Sequence, residues 1–201
     1  MSASLRHRVF LLFGFVILTM TAILSNPVMT QQKDSETGVA SRGNLPALAD
    51  PHIIIRKKDR VLEVYDGRTL VRSYRVVLGF DPKGDKEIEG DGRTPEGDFY
   101  VFTKNPQSKF HLSLGLSYPN TEDADRGLQS GIISRAEYDA IRDAIAGKRM
   151  PPQKTALGGE IYIHGGGTES DWTWGCVAMR NQDIEQIFQS VGVGTKVTVR
   201  P

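Results

Sequence analysis

Residues 161–181 read I-Y-I-H-G-G-G-T-E-S-D-W-T-W-G-C-V-A-M-R-N and hold His164 and Cys176, the only cysteine in the 201-residue chain. The short apolar run at 161–163 delivers the histidine onto a glycine-rich turn, and the cysteine stands just before a segment that reads as a helix. This arrangement predicts a thiol nucleophile and its base on one folded loop.

Upstream of this stretch the chain is written in strands. Residues 53–58 and 60–65 are rich in β-branched side chains, and Asp66-Gly67 is a two-residue hairpin signal leading into 69–78. A charged loop follows over 79–92, then the turn Thr94-Pro95-Glu96-Gly97 and a strand over 98–103. Across 109–117, Phe110, Leu112, Leu114 and Leu116 alternate with His111, Ser113, Gly115 and Ser117, which predicts one core face and one face open to solvent or a cleft. His111 is expected to be a solvated surface group. Tyr118-Pro119-Asn120 ends that strand and opens a long excursion over 121–158, readable either as a packed side element or as a lid. Within it, Ser134 and Glu137 have the capping-box form, and Tyr138, Ile141, Ala144 and Ile145 recur at helical spacing. Gly147 and Pro151-Pro152 stop that helix. Past Cys176, Asn181 is placed to cap a second helix carrying Ile184, Ile187, Phe188 and Val191, before a last strand over 195–199. With 21 Gly and 10 Pro, the chain reads as mainly β, sandwich-like with mixed sheets and one or two peripheral helices.

Composition excludes other classes. The 25 Lys+Arg against 24 Asp+Glu leave a net charge of +1, so no field of one sign gathers a polyanion, and nucleic acid is not an expected partner. Arg6, His7 and Arg8 precede an uncharged, mostly apolar run over 9–24, the form of an export signal. Residues 1–25 therefore read as a signal peptide or an N-terminal membrane anchor, the run being slightly short of the ~20 residues that span a bilayer. No cysteine follows for lipoprotein attachment. Residues 26–50 are polar and aperiodic, a flexible linker, and 51–201 form one domain in the periplasm or cell envelope, with the inner membrane in reach if the N-terminal segment is retained.

In an oxidising compartment a solitary thiol is either buried and inert or used. Gly175 lets the backbone approach a substrate closely, and a helix N-terminus would favour the thiolate and aim amides at a developing oxyanion. His164 would serve as base toward the thiol and acid toward the leaving amine. One Cys and four His at scattered positions lack the paired spacing of a zinc site. Glu169 and Asp171 read as solvated loop carboxylates.

The pieces T-P-E-G-D-F at 94–99, S-Y-P-N at 117–120, I-H-G at 163–165 and G-C-V-A-M at 175–179 resemble, in order, the L,D-transpeptidase catalytic (YkuD) domain of bacterial cell-wall enzymes. The resemblance covers about 51–201. It implies that a cysteine attacks the amide carbonyl at the L-centre of meso-diaminopimelate in a peptidoglycan stem tetrapeptide, expels D-Ala and leaves a thioester. An amine of another stem peptide, or of a wall-attached lipoprotein, then takes the acyl group. Carried onto this chain, Cys176 is the nucleophile and His164 the base, oriented by the Gly165 carbonyl, with the Gly175 and Cys176 amides as oxyanion donors and no metal or cofactor. Where the family signature has Ser or Thr, His, Gly, Cys, this chain has Thr173-Trp174-Gly175-Cys176, and Ala178 stands where arginine is common. Trp174, Arg180 and Tyr118 are then the candidate substrate contacts, Tyr118 being equally readable as a core ring. These departures resemble a branch that includes hydrolases of the same diaminopimelate bonds, acting as carboxypeptidases or releasing a tethered lipoprotein. A wall-binding module without turnover is the further alternative.

Overall fold

A computed structural model of the chain describes residues 43–201, so the expected export segment and most of the linker lie outside the described residues. The last of the linker is attached to the domain. Leu45 and Leu48 pack on the core, Arg72 donates to the Gly43 carbonyl, and the Asp66 carboxylate accepts the N–H groups of Ala49 and Asp50.

The strands form where β-branched residues alternate. In β1 (Pro51–Arg56) Ile53 and Ile55 are fully buried. The Asp66-Gly67 turn joins β2 (Val61–Asp66) to β3 (Thr69–Arg75). There follow β4 (Gly97–Ser108), β5 (His111–Leu116), α1 (Thr121–Gln129), α2 (Arg135–Ala146), β6 (Tyr162–His164), β7 (Val177–Ala178), α3 (Asn181–Ser190) and β8 (Lys196–Arg200). All eight strands make one mixed sheet in the order β3-β2-β1-β8-β4-β5-β6-β7, with β1–β8 and β6–β7 parallel and the other pairs antiparallel. The long strand β4 is shared by the two halves. Its start pairs with β8 and its remainder with β5, across two register shifts that bend the sheet. The main core fills the concavity, with Ile184 and Ile187 of α3 buried among the strand residues.

The architecture is the expected mainly β one, with three helices where one or two were expected. α2 begins at the capping box formed by Ser134 and Glu137, as its sequence indicates. The additional helix, α1, is nine residues long, and its apolar face holds only Ala124 and Leu128. It is held by a second capping box, in which Asn120 accepts from Asp123 N and the buried Asp123 carboxylate accepts from Asn120 N. It packs on α2 through Ala124, in a small satellite core with Ile133, Tyr138, Ile141 and Leu157. α3 starts at Arg180 rather than under an Asn181 cap, because the Asn181 side chain is used elsewhere, accepting from Gly166 N.

The satellite core is small enough that one side chain carries much of it. Ile141→Ala is expected to cost about 2–5 kcal/mol in urea unfolding, since a fully buried branched side chain is replaced by a cavity.

Candidate active site

Strands β6 and β7 bring the histidine and the cysteine to one place. Ile163 pairs with Val177 and His164 with Ala178, while Ile161, Ile163 and Val177 point into the main core. Alternation therefore puts His164 and the side chain preceding Val177, that of Cys176, on the opposite face. Cys176 lies level with Tyr162, whose N–H donates to Sγ at 3.4 Å. The two functional side chains thus leave the same face about 7 Å apart along the strand.

His164 is buried as a neutral imidazole. It is 3% exposed, stacked on Phe110 at 4.6 Å between ring centres and edge-on to Trp172 at 5.5 Å. Burial pushes its pKa down, opposed by the bond from Nδ1 to the Gly165 carbonyl at 2.6 Å. The expected contact of the Gly165 carbonyl with His164 is present. With Nδ1 carrying the proton and donating, Nε2 is left as the acceptor. A side chain at Gly165 would strike the Phe110 carbonyl and Asn181 Oδ1, so this close packing needs glycine.

The thiol is neutral as well. Burial pushes Cys176 up to about 11, with the Glu160 charge adding to the effect and the Tyr162 N–H and Lys86 opposing it. The expected thiolate-favouring helix N-terminus is absent, because β7 and two further residues separate Cys176 from α3. Sγ donates instead to the Glu160 carbonyl at 3.5 Å, and among the described residues no hydrogen bond joins it to His164. It opens into a cleft of about 480 Å³ lined by Lys86, Glu89, Gln153, Glu160 and Trp174, among others.

The backbone around Cys176 is gripped from beneath. Its carbonyl accepts from the hydroxyls of Thr173, at 2.7 Å, and Thr94, at 3.4 Å, both residues being buried. Thr94 also accepts from Gly79 N, and its own carbonyl accepts from the buried Lys57 ammonium, which is paired with Glu96. Gly175 sits at φ 121, and a Cβ there would meet the Arg93 carbonyl at 2.7 Å. Its N–H is not an available oxyanion donor as expected, being bonded to Thr173 Oγ1 at 3.2 Å. The Cys176 N–H has no partner among the described residues. Asp171 is part of the same scaffold rather than a solvated carboxylate. It accepts from Arg60 Nε and Nη2 and from Leu78 N, which ties the loop before Cys176 to the end of the third strand's extension.

The expected substrate contacts separate. Trp174 lines the cleft, 71% exposed and edge-on to Phe80 at 4.8 Å. Arg180 is paired with Asp183 and lines a different opening, with Gly166, Gly167 and Glu185. Tyr118 does not face the cleft. Its ring is wholly buried, its hydroxyl donates to the Leu157 carbonyl at 2.8 Å, and burial drives the phenol far above its ordinary value. Phe110 is also displaced from its expected core face, because His111 at φ 76 turns the strand and lays the ring on His164. His111 itself contacts Glu185 at the surface. Gln153, Glu160, Lys86 and Glu89 had no signal in the sequence: they come from the charged loop and from the return limb of the helical excursion, and only folding places them at the thiol.

A family model for the L,D-transpeptidase catalytic domain, YkuD, matches residues 50–199. The chain belongs to the L,D-transpeptidase catalytic domain family. It is 27% identical over 165 residues to the putative L,D-transpeptidase YafK of Escherichia coli (strain K12), a match covering 78% of this chain and 54% of that protein. Against the putative L,D-transpeptidase YqjB of Bacillus subtilis (strain 168) the identity is 27% over 164 residues, covering 78% and 75%. The crystal structure of the helical cell shape determining protein Pgp2 from Campylobacter jejuni superimposes with a TM-score of 0.53 at 25% identity, covering 78% of this chain and 50% of that one. The chain thus spans about half the length of YafK. In this family setting the pieces T-P-E-G-D-F and S-Y-P-N are structural: Thr94 holds the Cys176 carbonyl, Glu96 pairs with Lys57, Tyr118 anchors the return limb, and Asn120 caps α1.

Asp171 makes the cysteine loop acid-sensitive. Burial alone would raise its pKa, but Arg60 and the Leu78 N–H hold it below the usual carboxylate value. A lowered folded value means stability that is present above the unfolded value, near 3.9, and is lost as pH falls through the folded one. Asp171→Asn is expected to cost roughly 2 kcal/mol at pH 7. In chemical unfolding followed from pH 7 to pH 2, that gap should close below about pH 4.

Proposed function

We propose that the chain is a cysteine acyltransferase of peptidoglycan, acting at the cell envelope on stem peptides that carry meso-diaminopimelate. The observation that carries this reading is the neutral His164, locked by the Gly165 carbonyl with Nε2 left as acceptor on the sheet face that bears Cys176. A neutral thiol beside a neutral imidazole acts by general base catalysis. The S–H proton passes to His164 Nε2 as sulfur bonds to the carbonyl carbon at the L-centre of diaminopimelate, and the oxyanion is received by the Cys176 N–H. The imidazolium then returns its proton to the departing D-Ala amine, leaving a thioester. An incoming amine of a second stem peptide, or of a wall-attached lipoprotein, gives its proton to His164 as it bonds to the acyl carbon; the C–S bond then breaks, and the departing Cys176 sulfur recovers the proton from the imidazolium. Water in place of the amine yields the hydrolase, either a carboxypeptidase or a releaser of tethered protein. Trp174, exposed at the cleft, is the group best placed to lie against the donor peptide.

Incubating the protein with disaccharide-tetrapeptide should give a mass increase on Cys176 equal to the acyl donor less D-Ala, followed by cross-linked dimers. Tripeptide without dimers supports the hydrolase instead, and no adduct with no product sinks both. Cys176→Ala should abolish turnover, and His164→Gln should lower the acylation rate by about 10²–10⁴-fold. In the parent, the acylation rate should hold down to a pH below the ordinary histidine value, because the imidazole stays neutral there. An acid limb rising above that value would contradict this arrangement.

A further inference from the structure

The helical excursion reaches the nucleophile through a chain of hydrogen bonds that starts at Gln153. This residue follows Pro151 and Pro152 on the limb returning from α2 to β6. Its Nε2 donates to the Tyr118 carbonyl at 3.0 Å and to the Pro151 carbonyl at 2.8 Å, and its Oε1 accepts from Glu160 N at 2.8 Å. Both ends of the amide are engaged, so the side chain is fixed rather than mobile. Glu160 in turn stands at φ 54, a left-handed conformation that a residue with a side chain keeps only when its surroundings hold it. The bond from its N–H to Gln153 is one such hold, and it sets the direction of the next carbonyl. That carbonyl accepts the Cys176 S–H, while the Tyr162 N–H points at the same sulfur. The thiol proton is therefore on a backbone oxygen that cannot remove it, with His164 further along the strand.

We infer that Gln153 is a positioning residue that parks Cys176: by fixing the Glu160 carbonyl it keeps the S–H turned from His164 until an acyl donor occupies the cleft. Gln153, Glu160 and Trp174 line that cleft with Cys176, so a peptide entering it lies against the very groups that hold the thiol. Release breaks the S–H bond to the Glu160 carbonyl and makes one to His164 Nε2. The proton then passes to Nε2 as sulfur attacks, leaving an imidazolium and a tetrahedral oxyanion. The inference rests on the reading of His164 as the base of Cys176. It assigns the excursion a part in the chemistry that its helices do not themselves supply.

Two readouts test it on the purified full chain. Cys176 is the only cysteine, so its S–H stretching band is read as an infrared difference against Cys176→Ala, and its alkylation by iodoacetamide is followed by mass from pH 6 to pH 10. Gln153→Met keeps the length of the side chain and removes its hydrogen bonds; Gln153→Ala removes both. In the parent, the band should be unmoved by His164→Ala. In Gln153→Met it should move, and alkylation at pH 7 should rise about tenfold, as the thiolate fraction does when the alkylation profile is displaced roughly one pH unit toward acid. That gain should vanish when His164→Ala is added, which a loosened loop alone would not produce. A parent band that moves with His164→Ala overturns the inference even if no Gln153 variant folds, and so does Gln153→Met with the parent's band and rates. Parent protein that turns over tetrapeptide while Gln153→Met behaves as the parent removes the parked thiol and leaves acyl transfer standing. The thiol changes without any turnover remove acyl transfer and leave the parked thiol.

Discussion

The Cys176 carbonyl, held by the hydroxyls of Thr173 and Thr94, is the contact on which the geometry of the site depends. A carbonyl pinned on one side of the peptide chain fixes the direction of the side chain and of the N–H that leave the same residue. Each of the two hydroxyls is itself immobilised. Thr173 sits in a loop bridged to Gly79 and tied by Asp171 to Arg60, and Thr94 is braced by Gly79 N and by the buried Lys57. Polar groups this far from water are stabilising only when every one of them is paired. Among the described residues no buried side-chain nitrogen or oxygen lacks a partner.

The same economy explains why thiol and imidazole are both uncharged at rest. An ion pair in this enclosure would require desolvating two charges at the edge of a sheet whose other face is the main apolar core. Burial therefore works in the same direction on both groups, lowering the basicity of His164 and the acidity of Cys176. A neutral thiol is a weaker nucleophile than its thiolate, so burial lowers the intrinsic reactivity of Cys176. Phe110 and Trp172 keep the imidazole in place without offering it a competing hydrogen bond.

The helical excursion is a second, smaller folding problem solved beside the first. α1 and α2 enclose their own core, and the ring of Tyr118 at the entry bonds to Leu157 near the exit, so both ends of the segment are clamped together. That clamp presents Gln153, Gly159 and Glu160 as one wall of the cleft. The charged loop over 79–92, bonded to the return limb through Glu89 N and the Ala156 carbonyl, supplies another wall, made compact by Lys86 and Asp91. Neither wall belongs to the strands that carry His164 and Cys176.

What the sequence by itself determined is what local rules encode. β-branched runs with Gly-containing turns specify strands, Ser134 with Glu137 starts a helix, and a solitary cysteine downstream of I-H-G singles out the pair that the fold brings to one sheet face. The contact between His164 and the Gly165 carbonyl is the one the family resemblance implies. Where the structure departs from the sequence reading, another residue, near in the chain or far from it, has taken the group in question. Tyr118 is claimed by Leu157, the Gly175 amide by Thr173, Arg180 by Asp183, and the Asn181 side chain by Gly166. α1 was not legible because Ala124 and Leu128 alone are too short an apolar pattern to mark a helix, which is held by the cap at Asn120 and by the satellite core. The tertiary structure alone decided which carbonyl receives the thiol proton, because Glu160 is placed there by Gln153 and neither residue type announces that role in a linear pattern.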